Sequence, residues 1–136
     1  MNFIQFFYRF VFFFGYTTVL ITALIPMSGG LSKISLGPEL IQIRLDHFLH
    51  FSVYFLICIY FLLGVRLELH LFKVHSISKF AFLVLFLAIG SELLQIWVPS
   101  RAFNIFDMIS NILGFFVGLW IIKVKNRQKK STITES

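Results

Sequence analysis

Four long apolar stretches, each of a length that can cross a lipid bilayer, constrain this chain more than any other feature of its sequence. They run from about Phe3 to Ile25, from His47 to Val65, from Phe80 to Val98 and from Ile105 to Ile122. A helix of roughly 20 apolar residues spans the roughly 30 Å hydrocarbon core of a membrane. Four such helices take up most of the 136 residues. The sequence therefore predicts a single all-α domain, a polytopic four-helix transmembrane bundle.

The composition excludes an ordinary water-soluble globule. Hydrophobic residues make up 58% of the chain and charged residues only 13%, whereas charged residues are about a quarter of a typical soluble domain. A soluble domain of this length could not bury 19 phenylalanines without leaving a large apolar patch in water. Lipid tails accept such side chains, so membrane lipids are the first predicted partners.

The distribution of lysine and arginine predicts the orientation, because positively charged short flanks stay on the cytoplasmic side of a membrane. One set of flanks holds nine basic residues: Arg9, Arg66, Lys73, Lys79, Lys123, Lys125, Arg127, Lys129 and Lys130. The alternate set holds three: Lys33, Arg44 and Arg101. Both termini are therefore predicted to be cytoplasmic, in a multi-pass protein of the cytoplasmic membrane. Residues 123–136 are interpreted as a basic cytoplasmic tail that meets anionic lipid headgroups rather than nucleic acid.

Polar residues that are rare inside membrane spans occur here at one depth. Ionisable groups in spans are expensive, so they are functional hypotheses by default. Spacings of three and four residues place them on single helical faces. They lie at the start of span two, the end of span three and the start of span four, which the predicted topology brings to the outer surface. The predicted site consists of Asp46, His50, Tyr54, Glu92, Gln95, Arg101, Asp107 and Asn111.

A pair of glycines on the fourth span predicts a close helix contact. Gly114 and Gly118 have the spacing that lets a neighbouring helix approach closely. Gly90 and Ser91 on span three are the expected facing residues. His47 is expected to point away from His50 and is interpreted as a headgroup contact outside the predicted site.

Two interpretations of the polar residues stay open on these patterns. They can satisfy one another as hydrogen bonds between helices, or they can also contact a ligand or partner. A metal held by Asp46, His50, Glu92 and Asp107 is conceivable, but one histidine with carboxylates from three helices has no diagnostic spacing. No metal and no cofactor are therefore assigned.

Several of these motifs together resemble the VanZ-like family in order and spacing. The matching segments are residues 46–54, Ser91 to Gln95, Pro99 to Arg101, and Asp107 through Asn111 to Gly114 and Gly118. The resemblance covers roughly residues 10 to 122. The family typically has D-K-x-x-H-F-x-x-Y in the first segment, where this chain has His47 in place of the lysine.

The resemblance implies a small polytopic protein of the bacterial cell envelope, in a family whose founding members are linked to glycopeptide resistance. The favoured hypothesis is a non-catalytic protein whose outer polar residues bind a lipid-linked headgroup, with Arg101 on the phosphate, or an envelope partner protein. One alternative is a small subunit of a larger membrane or secretion complex. Another is an intramembrane enzyme acting on a lipid-linked envelope precursor, with His50 as general base, Glu92 or Asp107 as its orienter or acid, and Arg101 as charge stabiliser.

Overall fold

The structure, a computed structural model, is all-α with four helices long and apolar enough to span a membrane, as the sequence predicts. It describes residues 2–25, 35–36, 43–98 and 103–134, of which residues 35–36, 43–44 and 127–134 are described by their backbone alone. The helices are α1 (Phe3–Leu24), α2 (Leu45–Arg66), α3 (Ser76–Leu94) and α4 (Ile105–Thr134). A two-residue antiparallel pairing between β1 (Ser35–Leu36) and β2 (Ile43–Arg44) lies between α1 and α2.

Helices α3 and α4 each extend by four or more residues beyond the apolar stretches that predict them. Helix α3 begins at Ser76, four residues before the predicted Phe80, and is followed by a 3-10 turn over Gln95–Trp97. Helix α4 continues to Thr134 through most of the predicted basic tail. Lysine, arginine and glutamine are good helix formers, so the helix does not stop where the apolar residues do.

The helices run alternately up and down, which gives the bundle two chemically distinct ends. Helices α1 and α3 end where α2 and α4 begin, and we call this end the polar end. At the opposite end, which we call the basic end, Gln5 and Arg9 of α1 both donate hydrogen bonds to the carbonyl of His70 between α2 and α3, at 2.8 and 3.0 Å. The stacked rings of Phe61 and Phe80, with centroids 4.0 Å apart, fill the core nearer that end.

Helices α2 and α4 form the most extensive interface, and the two glycines of α4 explain it. A Cβ built on Gly114 would fall well inside van der Waals contact with the backbone carbonyl of Phe51, and one on Gly118 would collide with the side chain of Cys58. The glycines therefore pack against α2. The expectation that Gly90 and Ser91 of α3 face them is wrong, and among the described residues a Cβ on Gly90 would meet only the Phe86 ring, at 4.0 Å.

The outer surface of the bundle is apolar. Residues buried inside the protein are only 17% to 39% of each span. Large side chains such as Phe82, Phe86 and Trp120 point outward and are 62% to 73% exposed. Such a surface matches lipid tails and not water, so the molecule is built as a multi-pass membrane protein.

Candidate functional site

The structure brings predicted site residues from three helices together at the polar end. Helix α2 contributes Asp46, His50 and Tyr54, α3 and its following turn contribute Glu92 and Gln95, and α4 contributes Asp107 and Asn111. Arg101 lies outside the described residues. We call the group that shares direct contacts the polar cluster, which consists of Asp46, His47, His50, Glu92, Asp107 and Asn111.

Asn111 is the centre of the polar cluster and is completely buried. Its side-chain amide nitrogen donates to Glu92 Oε1 at 3.1 Å and to the carbonyl of Ala88 at 3.3 Å. Its side-chain oxygen lies 3.0 Å from His50 Nδ1. One amide group thus joins α2, α3 and α4 and holds the fully buried Glu92 carboxylate.

This bonding pattern fixes the proton on the His50 ring. The Asn111 amide nitrogen faces the carbonyl of Ala88, which can only accept. The reversed amide would set its oxygen against that carbonyl, so the amide oxygen faces His50 Nδ1 and accepts from it. Nδ1 thus carries a hydrogen, and in the neutral ring the lone pair belongs to Nε2.

Two carboxylates face that second nitrogen. His50 Nε2 lies 3.5 Å from Asp46 Oδ1 and 3.9 Å from Asp107 Oδ2. Both separations exceed the 2.7–3.2 Å range of N–H···O hydrogen bonds, whereas the Nδ1 contact to Asn111 falls inside it. The two nitrogens therefore have different roles, one anchored by a hydrogen bond and the other directed at a pair of acids.

His47 belongs to the polar cluster, contrary to the expectation that it lies outside the predicted site. Its Nε2 lies 3.2 Å from Asp107 Oδ1, on the opposite oxygen from the one that faces His50. A step of one residue turns a helix by about 100°, so the two rings do leave α2 in different directions. They meet the same residue because Asp107 of α4 sits between them, which no spacing within α2 can indicate.

Tyr54 and Gln95 lie beside the polar cluster. The Tyr54 hydroxyl is 3.2 Å from the carbonyl of Leu87 and 3.0 Å from Ser91 Oγ. Since the carbonyl can only accept, the tyrosine donates to it and accepts from the serine. For Tyr54 the interpretation as a hydrogen bond between helices therefore applies. Gln95 is buried and, like Tyr54, lines a cavity next to the cluster.

That cavity, of about 240 Å³, lies between α1, α2 and the end of α3 at the polar end. Its wall is partly apolar and partly polar, and the polar part includes three residues of the cluster. The lining residues are Val19, Thr22, Ala23, Asp46, Leu49, His50, Val53, Tyr54, Ser91, Glu92 and Gln95. Two acids, an imidazole and an amide thus border a space that also touches the apolar faces of two membrane-length helices.

Comparison with known proteins adds no relative to this picture. No protein-family model matches the chain, and no curated protein and no solved structure matches it. The geometry of the polar end therefore carries the functional argument.

Proposed function

We propose that this chain is a VanZ-like, non-catalytic protein of the cytoplasmic membrane that binds the headgroup of a lipid-linked envelope precursor at its polar end. The observation that carries the proposal is the cavity of about 240 Å³ whose wall combines Asp46, His50 and Glu92 with Leu49 and Val53. A molecule that fits such a wall is amphiphilic. Its polar part meets the acids and the imidazole, and its tail leaves along the helices.

The size of the cavity restricts what enters it. Pockets for drug-sized ligands occupy about 300–1,000 Å³, and this cavity is smaller. It suits one moiety of a headgroup, such as a single sugar ring or a phosphate, rather than a whole precursor. The carboxylates of Asp46 and Glu92 are acceptors for sugar hydroxyls or an ammonium group, and Arg101 remains the predicted phosphate contact.

Filling the cavity should weaken headgroup binding. We expect Val53→Trp to raise the Kd for a polyprenyl-diphosphate-linked sugar by on the order of 10-fold or more, because the indole occupies space that the headgroup needs. The measurement is native mass spectrometry of the protein in nanodiscs of phosphatidylethanolamine and phosphatidylglycerol, with the linked sugar titrated in.

Val117→Trp is the matched control. Val53 and Val117 are 39% and 40% exposed, both lie in membrane helices, and Val117 does not line the cavity. The control should bind like the wild type. Equal binding by the two variants, or no saturable binding by the wild type, would contradict the headgroup proposal.

The orientation that places the polar end outside is part of the same proposal. The basic end carries Arg66, Lys73 and Lys79 around the connection between α2 and α3 and Lys123 and Lys125 on α4, which supports a cytoplasmic position. The polar end would then face the compartment in which envelope precursors are used.

Cysteine labelling tests this orientation. In a Cys58→Ser background, Phe103→Cys should react with a membrane-impermeant maleimide in intact cells, whereas Val74→Cys should react only after permeabilisation. Both positions are exposed, at 40% and 58%, and lie at opposite ends of the bundle. The reverse labelling pattern would place the polar end in the cytoplasm.

A further inference from the structure

We propose that Asp46, His50 and Asp107 form a binding site for a divalent transition-metal ion, with Zn²⁺ as the preferred ion. Each of these residues offers one donor atom, and the three donor atoms lie within 4.8 Å of one another. Asp46 and His50 come from the first turns of α2, and Asp107 comes from the first turn of α4. The site is therefore formed by tertiary packing and has no ligand spacing along the sequence.

The separations fit a shared ion better than they fit direct hydrogen bonds. Zinc ligands lie about 2.0–2.2 Å from the metal, so neighbouring ligand atoms in a tetrahedral site are about 3.3–3.6 Å apart. His50 Nε2 is 3.5 Å from Asp46 Oδ1 and 3.9 Å from Asp107 Oδ2. The donor atoms of Asp46 and Asp107 lie within 4.8 Å of each other. Rotation of the Asp46 side chain, which is 24% exposed, would bring them closer.

The hydrogen bond made by His50 Nδ1 is a second observation that favours metal binding at Nε2. A histidine that binds a metal usually donates its other ring N–H to an oxygen, which fixes the tautomer and the ring orientation. Here Nδ1 donates to Asn111 Oδ1 at 3.0 Å, and the amide is held in turn by its bonds to Glu92 and Ala88. The Nε2 lone pair is thus directed toward the two aspartates, ready to coordinate a cation between them.

The carboxylate of Asp107 also has a second histidine beside it. His47 Nε2 lies 3.2 Å from Asp107 Oδ1, which leaves Oδ2 as the oxygen nearer His50. One imidazole and two carboxylates are donors that Zn²⁺ accepts, and the two negative charges balance the charge of the ion. Three protein ligands leave a fourth position open, and Asp46 and His50 border the cavity. A phosphate could take that position. Only this statement about phosphate rests on the proposed function.

Zinc titration of the purified chain tests the site without any lipid ligand. The full chain, carrying a tag that contains no histidine, is stripped with a chelator in detergent, loaded with ZnCl₂ and dialysed. Elemental analysis should find about one zinc ion per chain. In isothermal titration calorimetry, His50→Ala should raise the Kd for zinc by on the order of 100-fold or more.

His70→Ala and His75→Ala are the matched controls. Both histidines are exposed and lie at the basic end, so both variants should bind zinc like the wild type. Loss of binding in either control as large as that in His50→Ala would overturn the proposal, as would a wild-type chain that retains no zinc after dialysis.

Asp46→Asn separates loss of a ligand from loss of the fold. The amide keeps the shape of the side chain at a partly exposed position, so the variant should still fold without zinc, and each protein is compared with its own unfolding temperature in the absence of zinc. Because a ligand that binds the folded state stabilises it, zinc should raise the unfolding temperature of the wild type and not that of Asp46→Asn. An equal rise in both would contradict the site.

The cavity-filling variant Val53→Trp distinguishes this proposal from headgroup binding. Val53 lines the cavity and is not a proposed ligand, so Val53→Trp should bind zinc with unchanged affinity. A wild-type chain that binds zinc but not the linked sugar would count against the proposed function alone, and a wild-type chain that binds the linked sugar but not zinc would count against the metal site alone.

Discussion

Asn111→Asp is expected to lower the free energy of unfolding by about 3 kcal/mol, because the buried carbonyl of Ala88 loses its donor and two buried carboxyl groups come to face each other. The change replaces an N–H₂ group by an oxygen without altering the shape of the side chain. Glu92 Oε1 and the carbonyl of Ala88, now 3.1 and 3.3 Å from a donor, would each face an acceptor. Since Asn111 and Glu92 are both completely buried, water cannot screen the two carboxylates. Titration with a denaturing detergent, followed by circular dichroism, measures the effect.

Asn104→Asp is the control with the same chemical change. Asn104 Oδ1 accepts a hydrogen bond from the backbone N–H of Phe106 at 3.1 Å, at the start of α4. An aspartate keeps that acceptor, and a negative charge is favourable at a helix N-terminus. The control should therefore be as stable as the wild type. Equal destabilisation of the two variants would mean that the buried hydrogen bonds of Asn111 do not account for the loss of stability.

A second substitution should rescue Asn111→Asp. Glu92→Gln supplies an amide nitrogen opposite the new carboxylate, so the donor and the acceptor of this contact exchange sides. The double variant should recover at least half of the lost stability, and the remainder reflects the unsatisfied carbonyl of Ala88. A double-mutant cycle isolates this coupling, and additive losses would show that Asn111 and Glu92 do not interact.

The helices and the depth of the polar residues could be predicted from the sequence because both depend on local patterns. Apolar length determines a span, and once four spans alternate in direction, their ends must lie at two levels. Spacings such as Asp46 to His50 and Asp107 to Asn111 place side chains on one face of one helix. These are properties of single helices, and neither requires knowledge of how the helices are rotated against one another.

The partners of these residues could not be predicted, because they depend on helix rotation. Two glycines four residues apart indicate a close approach but do not say to which helix, and Gly114 and Gly118 approach α2 where α3 was expected. For the same reason the sequence predicts a site that lacks His47, although Asp107 of α4 lies close to both His47 and His50.

The proposed metal site likewise depends on tertiary packing, which a local sequence pattern does not predict. Zinc motifs recognisable in sequence take two or more ligands from one short segment. In this chain, Asp46 and His50 are one helical turn apart, and the third ligand, Asp107, comes from another helix. An aspartate and a histidine at this spacing are too common to indicate a metal by themselves, so the sequence leaves a metal as one conceivable use of these residues, and only the assembled bundle shows which donor atoms lie together. Arg101 stays a prediction because it lies outside the described residues.

Gly114→Ala is expected to lower the free energy of unfolding by about 2–3 kcal/mol, a typical cost of overpacking a tight contact. The added Cβ would overlap the carbonyl oxygen of Phe51, a backbone atom that cannot turn aside as a side chain can. Gly15→Ala is the control, because no atom of the part of the chain that the structure describes lies within 4 Å of a Cβ at that position. The control should be unchanged or stabilised by up to about 1 kcal/mol, since alanine favours a helix over glycine.

The same substitution should also affect the polar cluster, although Gly114 is not one of its residues. Phe51 directly follows His50 in α2, and Gly114 lies one turn beyond Asn111 in α4, so the glycine sets the distance at which the two helices present these residues. If α2 moves away, the His50 ring leaves Asn111 Oδ1, now 3.0 Å from Nδ1, and Nε2 moves away from Asp107. Gly114→Ala should then weaken zinc binding on the order of 10-fold or more, as loss of an orienting partner does. Unchanged zinc affinity in a destabilised Gly114→Ala variant would show that α2 tolerates the extra methyl by moving elsewhere along its length, and that the close approach serves stability alone.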